Sequence, residues 1–140
     1  MSEFKLCGKA YAYKMDLAAM RAFKKATDKD LWFTLISTME CYLSNIDKPI
    51  LAQMKALYEA VDFETALQLF YALAKREDKT LDIEEIEDAM LRSGWRPIEQ
   101  DNEFIQPYPI ILFAVAQDID SQIAEVVTAK KPQTGSDDQD

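Results

Sequence analysis

The segment from Asp78 to Ile86 has the acidic spacing of the second half of a calcium-binding EF-hand loop. Aligned in that way, Asp78, Asp82 and Glu85 occupy the fifth, ninth and twelfth positions. Such a loop also requires oxygen ligands at its first and third positions and a glycine at its sixth. The residues at those three positions are Ala74, Arg76 and Lys79. Two ligands and the glycine are therefore missing, and we expect no metal site, because Asp82 as a helix cap accounts for the same residues without an ion.

Catalytic side chains are scarce in this chain. The 140 residues include no histidine and two cysteines, Cys7 and Cys41. The commonest general base and the usual partner of a cysteine nucleophile are thus absent, and two cysteines alone do not complete a zinc site. The carboxylates Glu84 and Asp88 are expected on a polar helix face rather than in the dry pocket that acid–base catalysis needs. The sequence therefore predicts a non-enzymatic protein with no catalytic residue and no cofactor.

Charge is distributed unevenly along the chain. The net charge is −9, yet residues 1–29 carry seven basic and three acidic side chains, whereas residues 62–125 carry fifteen acidic and five basic ones. This asymmetry fits head-to-tail self-association into a homo-oligomer, and it also fits a solvated surface whose charges happen to segregate. Nucleic-acid binding depends on Lys and Arg that neutralise phosphates, so the acidic back half argues against a nucleic-acid partner.

The apolar residues predict a mainly α fold. We expect a single compact domain of five to six helices over residues 1–127, with a short N-terminal β-hairpin at about residues 3–13 that turns at Gly8-Lys9. A disordered polar tail is predicted for residues 128–140. The longest apolar stretches, around residues 31–43 and 110–127, are interrupted by polar side chains and predict no membrane span. Together with a start that lacks a signal-peptide pattern, this indicates an intracellular protein.

Aspartates and prolines mark the predicted helix starts. The helices are expected to begin at Asp16, Asp30, Pro49, Asp62, Asp82 and Pro109. Asp82 and Glu85 form an aspartate version of the capping box, and Gly94 is expected to end that helix. The second helix is apolar on more than one face, which predicts that it is the central, buried one.

Two segments are candidate protein-interaction sites. The hairpin edge either pairs with another chain or packs on the protein's own helices. The long segment from Trp95 to Pro107 combines aromatic and acidic residues, which suits a binding surface, although these aromatics also suit closure of the core. The candidate residues are Phe4, Leu6, Tyr11, Tyr13, Trp95, Phe104, Ile105 and Tyr108.

The order of these elements resembles that of a known family. A short β segment with Gly8-Lys9-Ala10-Tyr11 precedes a helix that opens with Met15-Asp16-Leu17. An aromatic-rich helix ending in Leu69-Phe70-Tyr71-Ala72-Leu73-Ala74 then leads to Lys79-Thr80-Leu81-Asp82-Ile83-Glu84-Glu85-Ile86 and a closing apolar helix. Over residues 3–126 this order resembles the tail assembly chaperones of long-tailed, siphovirus-type bacteriophages.

The resemblance implies a non-enzymatic protein of the host cell cytoplasm that is absent from the mature virion. It would bind the tape measure protein, keep its long apolar helices soluble and help to recruit tail tube protein subunits. The acidic back half leaves an alternative, an acidic phage inhibitor or DNA mimic that binds a host nucleic-acid enzyme.

Overall fold

Six helices and two β-hairpins make up the part of the chain that the structure describes. This computed structural model describes residues 2–134, and it places side chains for residues 2–127. The elements in chain order are β1 (Glu3–Leu6), β2 (Lys9–Ala12), α1 (Leu17–Thr27), α2 (Leu31–Ser44), α3 (Ile50–Ala60), α4 (Phe63–Ala74), α5 (Ile83–Ser93), β3 (Ile98–Gln100), β4 (Glu103–Ile105) and α6 (Tyr108–Thr134). The predicted mainly α fold with an N-terminal hairpin is confirmed.

Aspartate caps start three helices as the sequence predicts. The carboxylates of Asp16, Asp30 and Asp62 each accept a hydrogen bond of 2.8–2.9 Å from the backbone N–H three residues on. Each bond satisfies a donor that the first helical turn leaves free. These helix starts are encoded locally, and the structure follows them to within one residue.

The capping box at α5 is only half formed. Asp82 accepts from the N–H of Glu84 at 3.3 Å, so it caps the helix as predicted. The Glu85 side chain does not return to Asp82; its carboxylate accepts hydrogen bonds from Lys9 and Tyr11 of β2. The reciprocal half of the predicted box is therefore wrong, because two partners distant in sequence bind this carboxylate.

The turn of the first hairpin lies one residue earlier than predicted. Leu6 pairs with Lys9, so Cys7 and Gly8 form the two-residue loop. Their φ angles are 47° and 89°, and two successive positive values are typical of the type I′ turn that suits a hairpin. Gly8 adopts this conformation at no steric cost, whereas Cys7 does so as a non-glycine residue.

The central helix is α4, which corrects the prediction that α2 is the most buried. α4 packs against α1, α5 and α6. The Phe70 ring lies 4.8 Å from that of Phe4, between their centroids. The eight buried residues of α4 are Thr65, Ala66, Leu67, Leu69, Phe70, Ala72, Leu73 and Ala74. α2 has comparable apolar content but packs mainly on α6 and α3 with one side, so its other side remains exposed.

The last helix begins at Tyr108, one residue before the predicted Pro109, and packs on α2, α3, α4 and β1. It continues to Thr134, so its backbone is helical over residues 128–134. The domain boundary at residue 127 and the disordered tail stay predictions. Residues 135–140 of the predicted tail lie outside the described residues. Within residues 2–134, no helix has both the length and the apolar character needed to cross a membrane.

Candidate protein-interaction surfaces

Two tyrosine hydroxyls help to attach the N-terminal hairpin and the residue just after it to the helices. The Tyr11 hydroxyl donates to Glu85 Oε2 on α5 at 2.8 Å, and the Tyr13 hydroxyl donates to Asp118 Oδ2 on α6. Burial raises the pKa of both tyrosines above the usual range, and the neighbouring carboxylates raise it further. Both phenols therefore stay protonated and remain donors at neutral pH.

Four predicted interaction residues of the hairpin belong to the core. The apolar side chains of Phe4 and Leu6 and the rings of Tyr11 and Tyr13 are all buried. The hairpin packs on the protein's own helices, as one of the two alternatives has it, and the pairing of its edge with another chain stays a prediction. These four side chains are covered by α4, α5 and α6 and do not present a free surface.

The segment from Trp95 to Pro107, which the sequence predicts as a loop, contains a second hairpin. β3 and β4 are joined by Asp101 and Asn102, with φ angles of 53° and 65°. Two positive φ values again make a type I′ turn, in which Asp and Asn are favoured. In the sequence, the dipeptide Asp101-Asn102 is the feature that indicates this turn.

The predicted residues of this segment occupy three different places. Trp95 is exposed beside the start of α3, in a groove lined by Leu51, Met54, Lys55 and Tyr58. Phe104 and the half-buried Ile105 line a separate groove with Lys5 and Cys7 of the first hairpin. Tyr108 is buried, and its hydroxyl donates to the Val61 carbonyl at 2.7 Å. The structure therefore does not assemble these four residues into one site.

A larger exposed apolar surface lies on α2 and the start of α3. We call it the α2–α3 surface, and it comprises Phe33, Ile36, Leu43, Ile46, Ile50 and Leu51. These are six of the thirteen large apolar side chains exposed among the described residues, and they fall within nineteen consecutive positions. Single exposed apolar residues are ordinary, whereas six within so short a stretch make this part of the molecule a candidate binding surface.

The helical part of this surface has a regular arrangement. Phe33, Ile36, Glu40 and Leu43 follow one another at helical spacing on the side of α2 that faces away from Leu35 and Thr38. Phe33 is 71% exposed, so most of this residue is open to solvent. Glu40 interrupts the apolar row, with Phe33 and Ile36 before it and Leu43 after it. The sequence contained this pattern, but an apolar helix side does not reveal whether a neighbouring helix covers it.

Two further helix faces carry opposite charge. The basic face on α1 consists of the exposed residues Leu17, Arg21, Lys24 and Lys25, and the acidic face on α5 consists of the exposed residues Glu84, Glu87, Asp88 and Leu91. Asp88 accepts from Arg92 on the same helix at 2.8 Å. The charge asymmetry of the sequence thus appears in the fold as faces on two separate helices.

Local contacts explain the acidic segment that resembles an EF-hand loop. Asp78 accepts hydrogen bonds from the Thr80 hydroxyl and the Thr80 N–H, and these two bonds lower the pKa of Asp78. Asp82 caps α5, and Glu85 binds the hairpin, so the three acidic side chains point to different partners. No group of three or more metal-ligating side chains occurs in the described part of the chain.

Comparison with known proteins adds no relative. The chain matches no protein-family model, no curated protein and no solved structure.

Proposed function

We propose that this chain is a tail assembly chaperone of a long-tailed bacteriophage. It acts in the host cell cytoplasm without enzymatic activity, binds the tape measure protein, keeps it soluble, helps to recruit tail tube protein and leaves before the virion is complete. The observation that supports this proposal best is the α2–α3 surface. A chaperone for long amphipathic helices needs exposed apolar side chains on which a client helix can lay its own apolar face.

Charge supports the same role. The net charge of −9 disfavours precipitation of a complex in which one partner is aggregation-prone. An exposed carboxylate, Glu40, lies between Ile36 and Leu43 of the α2–α3 surface. Apolar contact area is therefore combined here with a negative charge that disfavours the pairing of two such surfaces with each other.

A co-expression experiment tests the proposal. The chain is expressed with the tape measure protein encoded by the same phage genome, and the client is measured in the soluble fraction. We expect the wild-type chain to keep the client soluble and Phe33→Asp to lose most of that effect. Phe104→Asp is the matched control, because Phe104 is 69% exposed against 71% for Phe33 but lies on β4. A client that stays insoluble with wild-type chain contradicts the proposal. Loss of solubilisation with Phe104→Asp alone would assign client binding to the second hairpin.

The acidic face supports a second candidate, an inhibitor that imitates DNA for a host enzyme. Glu84, Glu87 and Asp88 are exposed along one side of α5, where Asp88 pairs with Arg92. This role assigns no purpose to the α2–α3 surface, so we rank it second. The test is whether the chain competes with labelled DNA for nucleic-acid-binding proteins of the host. Competition that is lost in Glu84→Lys and retained in Phe33→Asp would favour this second role.

A further inference from the structure

The basic and acidic faces match each other in spacing when the two helices run antiparallel. On α1, an exposed leucine is followed by a cation after four residues and by another after seven. On α5, an exposed leucine is preceded by carboxylates at the same two separations. The matched pairs are Leu17 with Leu91, Arg21 with Glu87, and Lys24 with Glu84. Leu17 and Leu91 are 56% and 64% exposed, so both leucines are available for contact.

The helix lengths are compatible with this register. α1 and α5 each have eleven residues, and nine residues of each, 17–25 and 83–91, lie side by side in the antiparallel pair. In that orientation the C-terminal end of α1, with Lys24 and Lys25, lies beside the N-terminal end of α5, with Glu84. Each end carries the charge that the helix dipole of its own helix favours, and the two dipoles attract.

We propose that the basic face of one copy of this chain docks antiparallel on the acidic face of a second copy. α4 packs against both helices, and within the described residues no ion pair joins the two faces of one molecule. A contact between two different faces leaves one free face at each end, and further copies add head to tail. The inference goes beyond the proposed function and does not depend on it, because it uses neither the α2–α3 surface nor a client.

Such a contact is weak and sensitive to salt. Exposed ion pairs contribute little each, and a single pair of short helices lies at the small end of interface sizes. Asp88 already has Arg92 as a partner, so Glu84 and Glu87 supply the charge that attracts α1. We therefore expect self-association at low ionic strength and high protein concentration, and dissociation at about 1 M salt, where the screening length falls to about 3 Å.

Charge reversal on each face provides the test, with sedimentation velocity as the measurement. One variant carries Arg21→Glu with Lys24→Glu, and the other carries Glu84→Lys with Glu87→Lys. We expect each variant alone to associate at least about tenfold more weakly than wild type, because like charges then face each other. An equimolar mixture of the two variants should recover association, since it restores opposite charges at every contact.

The matched controls are Lys48→Glu and Glu59→Lys, which change exposed charges outside both faces. They should associate like wild type, and circular dichroism should show the same helix content in all variants. A wild-type chain that remains monomeric at high concentration and low salt overturns the proposal. So does a mixture of the two reversed variants that remains monomeric while wild type associates.

Discussion

The Tyr11 hydroxyl donates a hydrogen bond of 2.8 Å to Glu85 Oε2, and the two residues are 74 positions apart in the chain. Lys9 Nζ donates to the same oxygen. Strands of four residues form a hairpin that is marginal by itself, so it depends on the helices beneath it. This carboxylate joins β2 to the first turn of α5 and makes Glu85 a structural residue.

Removal of the Tyr11 hydroxyl tests this attachment. Tyr11→Phe keeps the buried ring and deletes one donor to a partly exposed carboxylate, so we expect the free energy of unfolding to fall by about 1 kcal/mol. Urea denaturation measures the change. Tyr71→Phe is the control, because its hydroxyl reaches the Leu81 carbonyl only at 3.4 Å and should matter less. Equal losses in the two variants would contradict a specific role for the Tyr11–Glu85 bond.

Local features of the fold were predictable and long-range partners were not. Asp16, Asp30 and Asp62 start helices because a cap needs only a side chain and an N–H three residues on. Glu85 has the right spacing for a capping box as well, yet two side chains from β2 bind it instead. Nothing within a few residues of Glu85 indicates that the hairpin packs there.

Glu85 also predicts a loss of stability in acid. Hydrogen bonds from Lys9 and Tyr11 lower the pKa of Glu85 below the ordinary 4.5. A carboxylate whose pKa is depressed by folding contributes stability above its unfolded pKa and loses it as the pH falls through the folded value. We therefore expect the melting temperature to decline below about pH 4.5, and Glu85→Gln to reduce the size of that decline.

A second carboxylate, that of Asp16, contributes to the same loss of stability in acid. Burial tends to raise the pKa of Asp16, but hydrogen bonds from the Ala19 N–H and Arg76, together with the charge of Arg76, outweigh it and lower the pKa. Glu85→Gln should therefore reduce the acid decline without abolishing it. Glu59→Gln, on the exposed side of α3, is the control, and its melting profile should follow wild type. A Glu85→Gln profile identical to that of wild type would argue against the attachment.

The aromatic residues between positions 95 and 108 show the same difference between local features and long-range packing. The aromatic residues Trp95, Phe104 and Tyr108 share one segment, which suggested one site, but the hairpin turn at Asp101-Asn102 distributes them over two grooves and the core. The sequence predicts that α2 is central because its apolar residues occupy more than one face of the helix. Whether such a helix is covered depends on where its neighbours pack, and this is a tertiary property.

Two phenylalanines on helices differ in burial, so their replacement should affect stability differently. Phe70 on α4 is fully buried and contacts the ring of Phe4, whereas Phe33 on α2 is largely exposed. We expect Phe70→Ala to lower the free energy of unfolding by about 3–5 kcal/mol, because it leaves a cavity. Phe33→Ala should change it by no more than about 0.5 kcal/mol. Chemical denaturation of both variants measures this, and a large loss from Phe33→Ala would mean that its ring is covered in solution.

The buried tyrosines predict a loss of stability in alkali. Burial raises the pKa of Tyr58 to about 12, and Tyr11, Tyr13 and Tyr108 are shifted upward as well, also mainly by burial. A group whose pKa is raised by folding contributes stability below its unfolded pKa, about 10 for tyrosine, and loses it as the pH rises towards the folded value. The folded protein should therefore lose stability above about pH 10.

Ultraviolet absorbance of the phenolate measures this effect. In guanidinium, all six tyrosines should ionise together near pH ~10. In the folded protein, at least four should ionise later, in step with the loss of helical circular dichroism. Tyr108→Phe provides the matched variant, because it removes one of the late-ionising groups together with the donor to the Val61 carbonyl. Complete ionisation near pH ~10 with the helices intact would show that these rings are open to solvent.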